Sequence, residues 1–287
     1  MIPVTFHHGW SKYEERERLT AMCEFAANGA KHLVLGDMLL KMMARDCTLA
    51  ATLRKQAQQA GVDFVDAHAP FRRFADLFIP EERDRRLMLA RQKLNLLLVN
   101  EMGVRTCTFH VGSEVYPEYS AVAHREAIYR SLDELLPFAE KLDIAIALEN
   151  GRMPFNTADE LIACVRRYDS PYLGLCLDVG HANLKEHLSG DSEHSRLWED
   201  CGLPYAREEN IAERMCPYIV NCHLHDNFGE RDDHDLPGRG NIDWGRILPL
   251  LRNAPRLKCL QSEVLTARRN IPIREVTESM RRLLGYL

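Results

Sequence analysis

The chain has 287 residues, 46% of them apolar and 28% charged, with a net charge of −5 and a pI near 6.2. That balance suits a soluble globular protein with an ample core and excludes a global basic field of the kind that recruits nucleic acid. No apolar run approaches a membrane span and no basic-then-apolar leader opens the chain, so no membrane partner and a cytoplasmic location are expected.

Short β-rich apolar runs are predicted at 2–6, 32–35, 62–65, 105–109, 144–148, 173–177, 218–222 and 257–261. Between them lie longer segments of helical period, such as 81–101 and 125–142. In the second, Ile128, Leu132, Leu135 and Leu136 fall at i, i+4, i+7 and i+8. Eight strands alternating with eight helices count to a single-domain (β/α)8 TIM barrel over 1–287. A doubly wound sheet shares the alternation, but no Gly-x-Gly-x-x-Gly follows the first strand. The polar, partly acidic stretch 185–211 is predicted to be an enlarged loop after strand six, a lid or a contact surface for a homo-oligomer. The nine cysteines are scattered and odd in number, without a C-x-x-C pair, which points to reduced thiols. Cys176 and Cys222 lie inside apolar strands, where a thiol acts as a small hydrophobe.

Barrel enzymes build their sites at the C-terminal ends of the strands. Here strand three runs into Asp66-Ala67-His68 and strand four into His110. Strand five delivers Glu149-Asn150 and strand six Asp178-Val179-Gly180-His181. Strand seven delivers His223 and His225, with Asp232 and His234 on the loop beyond, and strand eight delivers Glu263. Taken singly, each has an ordinary explanation: a packed histidine, a helix cap at Asp178, an arginine partner for Glu149, a solvated charge run around Asp232. Six successive strands ending in imidazole or carboxylate at one mouth argue instead for a site that holds a divalent cation.

The order of these motifs resembles the xylose isomerase-like TIM-barrel superfamily, which includes sugar isomerases and epimerases and the endonuclease IV-type AP endonucleases. The likeness runs from His68 through Glu263. It is most specific at Leu148-Glu149-Asn150, at Cys176-Leu177-Asp178-Val179-Gly180-His181 and from His223 to Trp244. The resemblance implies one divalent ion held by Glu149, Asp178, His223 and Glu263. His225 is the rival for the strand-seven ligand, because a spacing of two puts both imidazoles on one face of an extended strand; the His-Leu-x-Asp pattern favours His223. In endonuclease IV-type enzymes two further zinc ions flank the central one. The matching positions are His68 and His110, sharing Glu149, and then His181, Asp232 and His234. In sugar-handling relatives these places bind substrate hydroxyls or phosphate, so one to three ions are expected, with Mn²⁺, Zn²⁺, Co²⁺ or Mg²⁺ as the candidates.

The loop Pro237-Gly238-Arg239-Gly240-Asn241-Ile242-Asp243-Trp244 looks like the Pro-Gly-x-Gly-x-Ile-Asp-Trp signature of the sugar branch, while the opening Val4-Thr5-Phe6-His7-His8-Gly9-Trp10 does not match the nuclease branch. The resemblance therefore implies an isomerase or epimerase acting on a sugar or sugar phosphate. Glu149 and Glu263 would move a proton next to a carbonyl through a metal-stabilised enediolate. Trp10, His225 and Arg239 are weaker candidates for contact with that substrate. The alternative is a zinc-dependent AP endonuclease, with Arg72, Arg73 and Phe74 meeting nucleic acid. A non-catalytic ligand-binding barrel requires the loss of at least one of Glu149, Asp178, His223 and Glu263, and all four are present.

Overall fold

The computed structural model describes residues 2–72, 74–114, 116, 118–187 and 193–285. Its strands are β1 (Val4–Phe6), β2 (His32–Leu35), β3 (Asp63–His68), β4 (Thr106–His110), β5 (Ala145–Glu149), β6 (Leu173–Asp178), β7 (Ile219–Leu224) and β8 (Cys259–Ser262). All pair in parallel in chain order and close on themselves through β1 and β8. Helices run outside the barrel between the strands, so this is a (β/α)8 barrel in one domain. Among the described residues, no helix is long and apolar enough to cross a membrane.

Each strand alternates between the apolar layer under the helices and the barrel lumen. Residues such as Phe109, Leu148, Leu175, Leu177 and Ile219 are buried in the main core. The intervening positions enter the lumen, where polar groups satisfy one another: Thr106 Oγ1 donates to Asp66 Oδ1 at 2.6 Å, and Asn221 Nδ2 donates to Asp66 Oδ2 and to Thr108 Oγ1. Period two then carries each lumen-facing set one step higher, from Asp66 to His68, Thr108 to His110 and Asn221 to His223. Helix Ala121–Lys141 shows how the outer layer forms. Ser120 caps it by accepting the amide of Ala123 at 3.2 Å, and Ile128, Leu132, Leu135 and Leu136 make its buried stripe.

Several boundaries differ from the sequence reading. Strands three to six reach further than predicted, so that His68, His110, Glu149 and Asp178 are the last residues of their strands and not the first of a loop. The ladder continues through polar residues because the backbone pairs regardless of side chain: His110 stands beside Glu149, and Asp178 beside His223. The stretch 185–211 is not a plain loop. It completes helix Val179–His187 and contains helix Glu193–Asp200, while 188–192 fall outside the described residues. Lys185 Nζ and Glu208 Oε2 meet at 3.0 Å, both buried, and Glu208 Oε1 also accepts the amide of Ala158 at the start of helix Ala158–Tyr168. The indole N–H of Trp198 donates to the carbonyl of Arg152 at 3.0 Å, which pins this excursion to the segment after β5.

Candidate metal centre

The strand ends bring all nine of the proposed ligands to one mouth. At its middle, Glu149, Asp178, His223 and Glu263 each offer a ligand atom within 4.8 Å of the others. His223 Nδ1 lies 3.2 Å from Glu263 Oε2, 3.7 Å from Glu149 Oε2 and 3.8 Å from Asp178 Oδ2. Three elements fix this geometry. Asn150 clamps the backbone of Asp178 by accepting its N–H at 2.7 Å and donating to its carbonyl at 2.9 Å. The Asp178 side chain accepts the backbone N–H of His181 at 2.7 Å, the capping bond of the following helix. Glu263 is held by its own N–H on the carbonyl of Leu224 at 3.1 Å.

Two smaller groups flank the centre. On one side, His68 Nε2 and His110 Nε2 stand 3.2 and 3.1 Å from the same oxygen of Glu149. The other ring nitrogen of His68 is within 2.9 Å of the carbonyl of Ala69, which sets its tautomer and orientation. On the opposite side, His181 Nε2 and His234 Nε2 each lie 3.2 Å from Asp232 Oδ2. His181 Nδ1 rests 2.9 Å from the carbonyl of Asn150, and His234 Nδ1 2.9 Å from that of Glu263.

The imidazoles and carboxylates of this mouth stabilise one another's charged forms. Burial opposes protonation of His68, His181 and His223, yet neighbouring carboxylates outweigh it and all three pKa values are raised. His234 is pushed up to about 9 in the same way, against burial and chiefly by Asp232. Burial likewise works against ionised Glu149 and Asp178, but the surrounding imidazoles hold both carboxyls well below the ordinary range, and Glu263 falls to about 2. Without a cation, these carboxylates draw protons onto histidine.

The donor set fits a divalent ion. Both ring nitrogens of His223 are buried and neither aligns with a hydrogen-bond partner among the described residues, although Nδ1 faces three carboxylate oxygens. An unaligned nitrogen amid converging oxygens suits ligands that share a point between them, and imidazole with carboxylate is the donor set of Zn²⁺ and Mn²⁺.

The same geometry separates the strand-seven rivals. His223 faces the four-residue cluster, whereas His225 reaches Asp178 with Nε2 and stacks on His234 at 3.9 Å between ring centroids. His225 is fully buried and so presents no face to a substrate. Trp10, the proposed sugar wall, is 1% exposed and packs against His8 and Phe25, because the short helix Trp10–Lys12 turns its ring into the core. Arg239 pairs with Glu275 and Asp235. The loop that carries it wraps around Asp226, whose side chain accepts from the N–H of Gly238 and the indole of Trp244. Gly238 has φ of +88°, and a Cβ at Gly240 would lie 2.1 Å from the carbonyl oxygen of Asn227, so both positions require glycine. Arg72 faces solvent with its guanidinium 5.7 Å from the Phe71 ring, and Arg73 lies outside the described residues.

Two residues at the mouth escaped the sequence reading. Phe71 stacks on His110 with ring centroids 4.2 Å apart. His7 follows β1, its N–H on the carbonyl of Ser262, and its imidazole interacts with Glu263, His68 and His223; burial lowers its pKa. The available signal for His7 was its place two residues beyond Thr5, on the lumen side of β1.

Among curated proteins, the chain is 30% identical over 125 residues to the uncharacterized protein y4fM of Sinorhizobium fredii and 29% identical over 165 residues to the uncharacterized protein MJ1311 of Methanocaldococcus jannaschii. These matches cover 42% and 55% of the chain but only 34% and 48% of the relatives, so the chain aligns with half or less of each. Among solved structures it is similar to a D-tagatose 3-epimerase-like protein, with a TM-score of 0.71 and 20% identity over 99% of this chain and 97% of that one. It is also similar to the IOLI protein with a bound zinc atom, with a TM-score of 0.71 and 17% identity over 99% and 96%. At such identities the likeness is one of fold. The family model for the xylose isomerase-like TIM barrel matches residues 21–281, and with nearly the whole barrel covered the chain belongs to that family.

Proposed function

We propose that this protein is a divalent-metal-dependent isomerase or epimerase acting on a sugar or sugar phosphate. The observation that carries the reading is the placement of Glu149 and Glu263 on either side of His223, from strands five and eight, each with a carboxylate oxygen toward the same imidazole nitrogen. Glu149, Asp178, His223 and Glu263 would hold the ion, which when bound polarises a carbonyl and a neighbouring hydroxyl. Glu149 and Glu263 are both held ionised, so Glu149 is suited to take a proton from the carbon beside that carbonyl, and Glu263 would return one on the other face or to the adjacent carbon once it has itself taken a proton from solvent or a substrate hydroxyl. For the reverse reaction their roles exchange. His68, His110 and His181 ring the same space and are placed to orient substrate hydroxyls or hold a further ion.

The endonuclease reading is supported by one specific observation, the two flanking groups that complete a nine-residue set. The charge distribution weighs against it. Duplex DNA needs several cations available to phosphate; Arg72 faces solvent, but Arg239 and Arg269 are occupied by Asp233, Asp235 and Glu275. The test is metal content of protein purified without chelator, followed by two assays: solvent-deuterium incorporation into a panel of ketoses, and cleavage of abasic-site DNA. Deuterium entering the carbon beside a ketose carbonyl, lost in Glu149→Gln, is the expected result. Cleavage of abasic DNA with no exchange on any ketose overturns the proposal in favour of the nuclease.

A further inference from the structure

Resting on the reading of Asp178 as a metal ligand, we propose that His225 is a positioning residue for that carboxylate and that Gly180 is glycine to make room for it. Nε2 of His225 lies 3.0 Å from Oδ1 and 3.1 Å from Oδ2 of Asp178, and both side chains are fully buried. Nδ1 of His225 has no hydrogen-bond partner among the described residues, so a hydrogen bond to the ionised carboxylate places the ring proton on Nε2. Together with the amide of His181 on Oδ1, this donor stops the carboxylate rotating about its last bond and keeps Oδ2 toward His223. Backbone clamping by Asn150 sets where Asp178 begins; His225 sets where its oxygens end.

The ring has a closely bounded seat. One face stacks on His234, with an interplanar angle of 14°. Its edge lies against Gly180, where an added Cβ would stand 2.0 Å from Cε1 and 2.6 Å from Nε2 of His225. Any other residue at 180 therefore expels the imidazole from its bond to Asp178, and backbone conformation plays no part, since Gly180 is an ordinary helical residue at the start of Val179–His187. His225 thus acts on the metal through Asp178, as outer hydrogen-bond partners do in other metal sites.

The experiment measures metal affinity, by competition with a chromophoric chelator and by the visible spectrum of the Co²⁺ form, in the full chain and in Asp178→Ala, His225→Ala, His225→Gln and Gly180→Ala. Expected is a loss of affinity of about 10- to 100-fold in His225→Ala and in Gly180→Ala, with metal stoichiometry retained. His225→Gln, which keeps a side-chain N–H, should recover part of that loss, and circular dichroism should show each variant folded. If Asp178→Ala loses metal while His225→Ala binds like the unaltered protein, the positioning role is wrong and the ligand assignment stands. If Asp178→Ala binds metal normally, the ligand assignment itself fails. A third outcome also overturns the proposal: His225→Ala and His225→Gln both lose a whole equivalent, which would make His225 a ligand through Nδ1 with His234 and Glu263, a grouping whose ligand atoms also lie within 4.8 Å.

Discussion

His223 Nδ1 stands 3.2 Å from Oε2 of Glu263, and the two are not aligned as donor and acceptor. A buried imidazole and a half-buried carboxylate at this distance ordinarily rotate into a hydrogen bond, because an unmet buried polar group costs about 1–3 kcal/mol. Their misalignment is the geometry of two groups directed at a third point. Glu263→Gln preserves shape and removes the charge, so it should weaken metal binding by about 10-fold or more and lower kcat by about 100-fold or more. Elemental analysis with steady-state kinetics checks both; unchanged metal content would remove Glu263 from the ligand set.

The flanking histidines should be separable from the centre. His110 and His234 each touch one flanking group, through Glu149 and Asp232, and neither belongs to the central cluster of four. A His110→Ala, His234→Ala double variant should retain about one metal equivalent, as expected for a four-ligand site left intact. In the isomerase reading KM rises more than kcat falls, since these residues would face substrate hydroxyls. Complete metal loss would show that the centre is one interdependent cluster.

His8 makes stability depend on pH away from the metal. It is 5% exposed, its Nδ1 is 3.0 Å from Thr266 Oγ1, and burial, with a smaller contribution from His7, depresses its pKa to about 4. The unfolded chain therefore binds this proton more tightly than the folded one. Its contribution is fully present above about pH 6.5 and is lost as pH falls toward 4, amounting to about 2 kcal/mol between pH 7.5 and 5. Urea unfolding at both pH values should show that loss diminished in His8→Gln. An equal pH dependence in the two proteins would exclude His8 as its source.

Lys185 and Glu208 should behave as a buried pair that is costly to break singly. Burial lowers the Lys185 pKa and Glu208 raises it again, while Glu208 also caps the amide of Ala158. Lys185→Met leaves Glu208 buried with Arg214, at 3.5 Å, as its remaining cation among the described residues, and should cost less than the about 3–5 kcal/mol of a wholly unpaired buried charge. Adding Glu208→Gln should restore part of that stability, because the under-compensated buried charge goes. Urea midpoints read the energies, and limited proteolysis within 193–211 reports whether the excursion has come loose.

By itself the sequence determined the architecture and the candidate ligand types. Eight apolar runs with helical spacers admit few closed arrangements, and period two along a strand already aligns His68 with Asp66 and His223 with Asn221. Clustering of imidazole and carboxylate at six strand ends is a local property, legible without coordinates. Only the tertiary structure decided which of His223 and His225 faces the centre. Both lie on one face of an extended chain, and the choice depends on β6, where Asp178 sits between them, and on Gly180, which leaves room for the second ring. The same holds for Trp10 and His7. Their places follow from how the short helix after β1 packs and how β1 meets β8 across 250 residues of chain, contacts that no local pattern encodes.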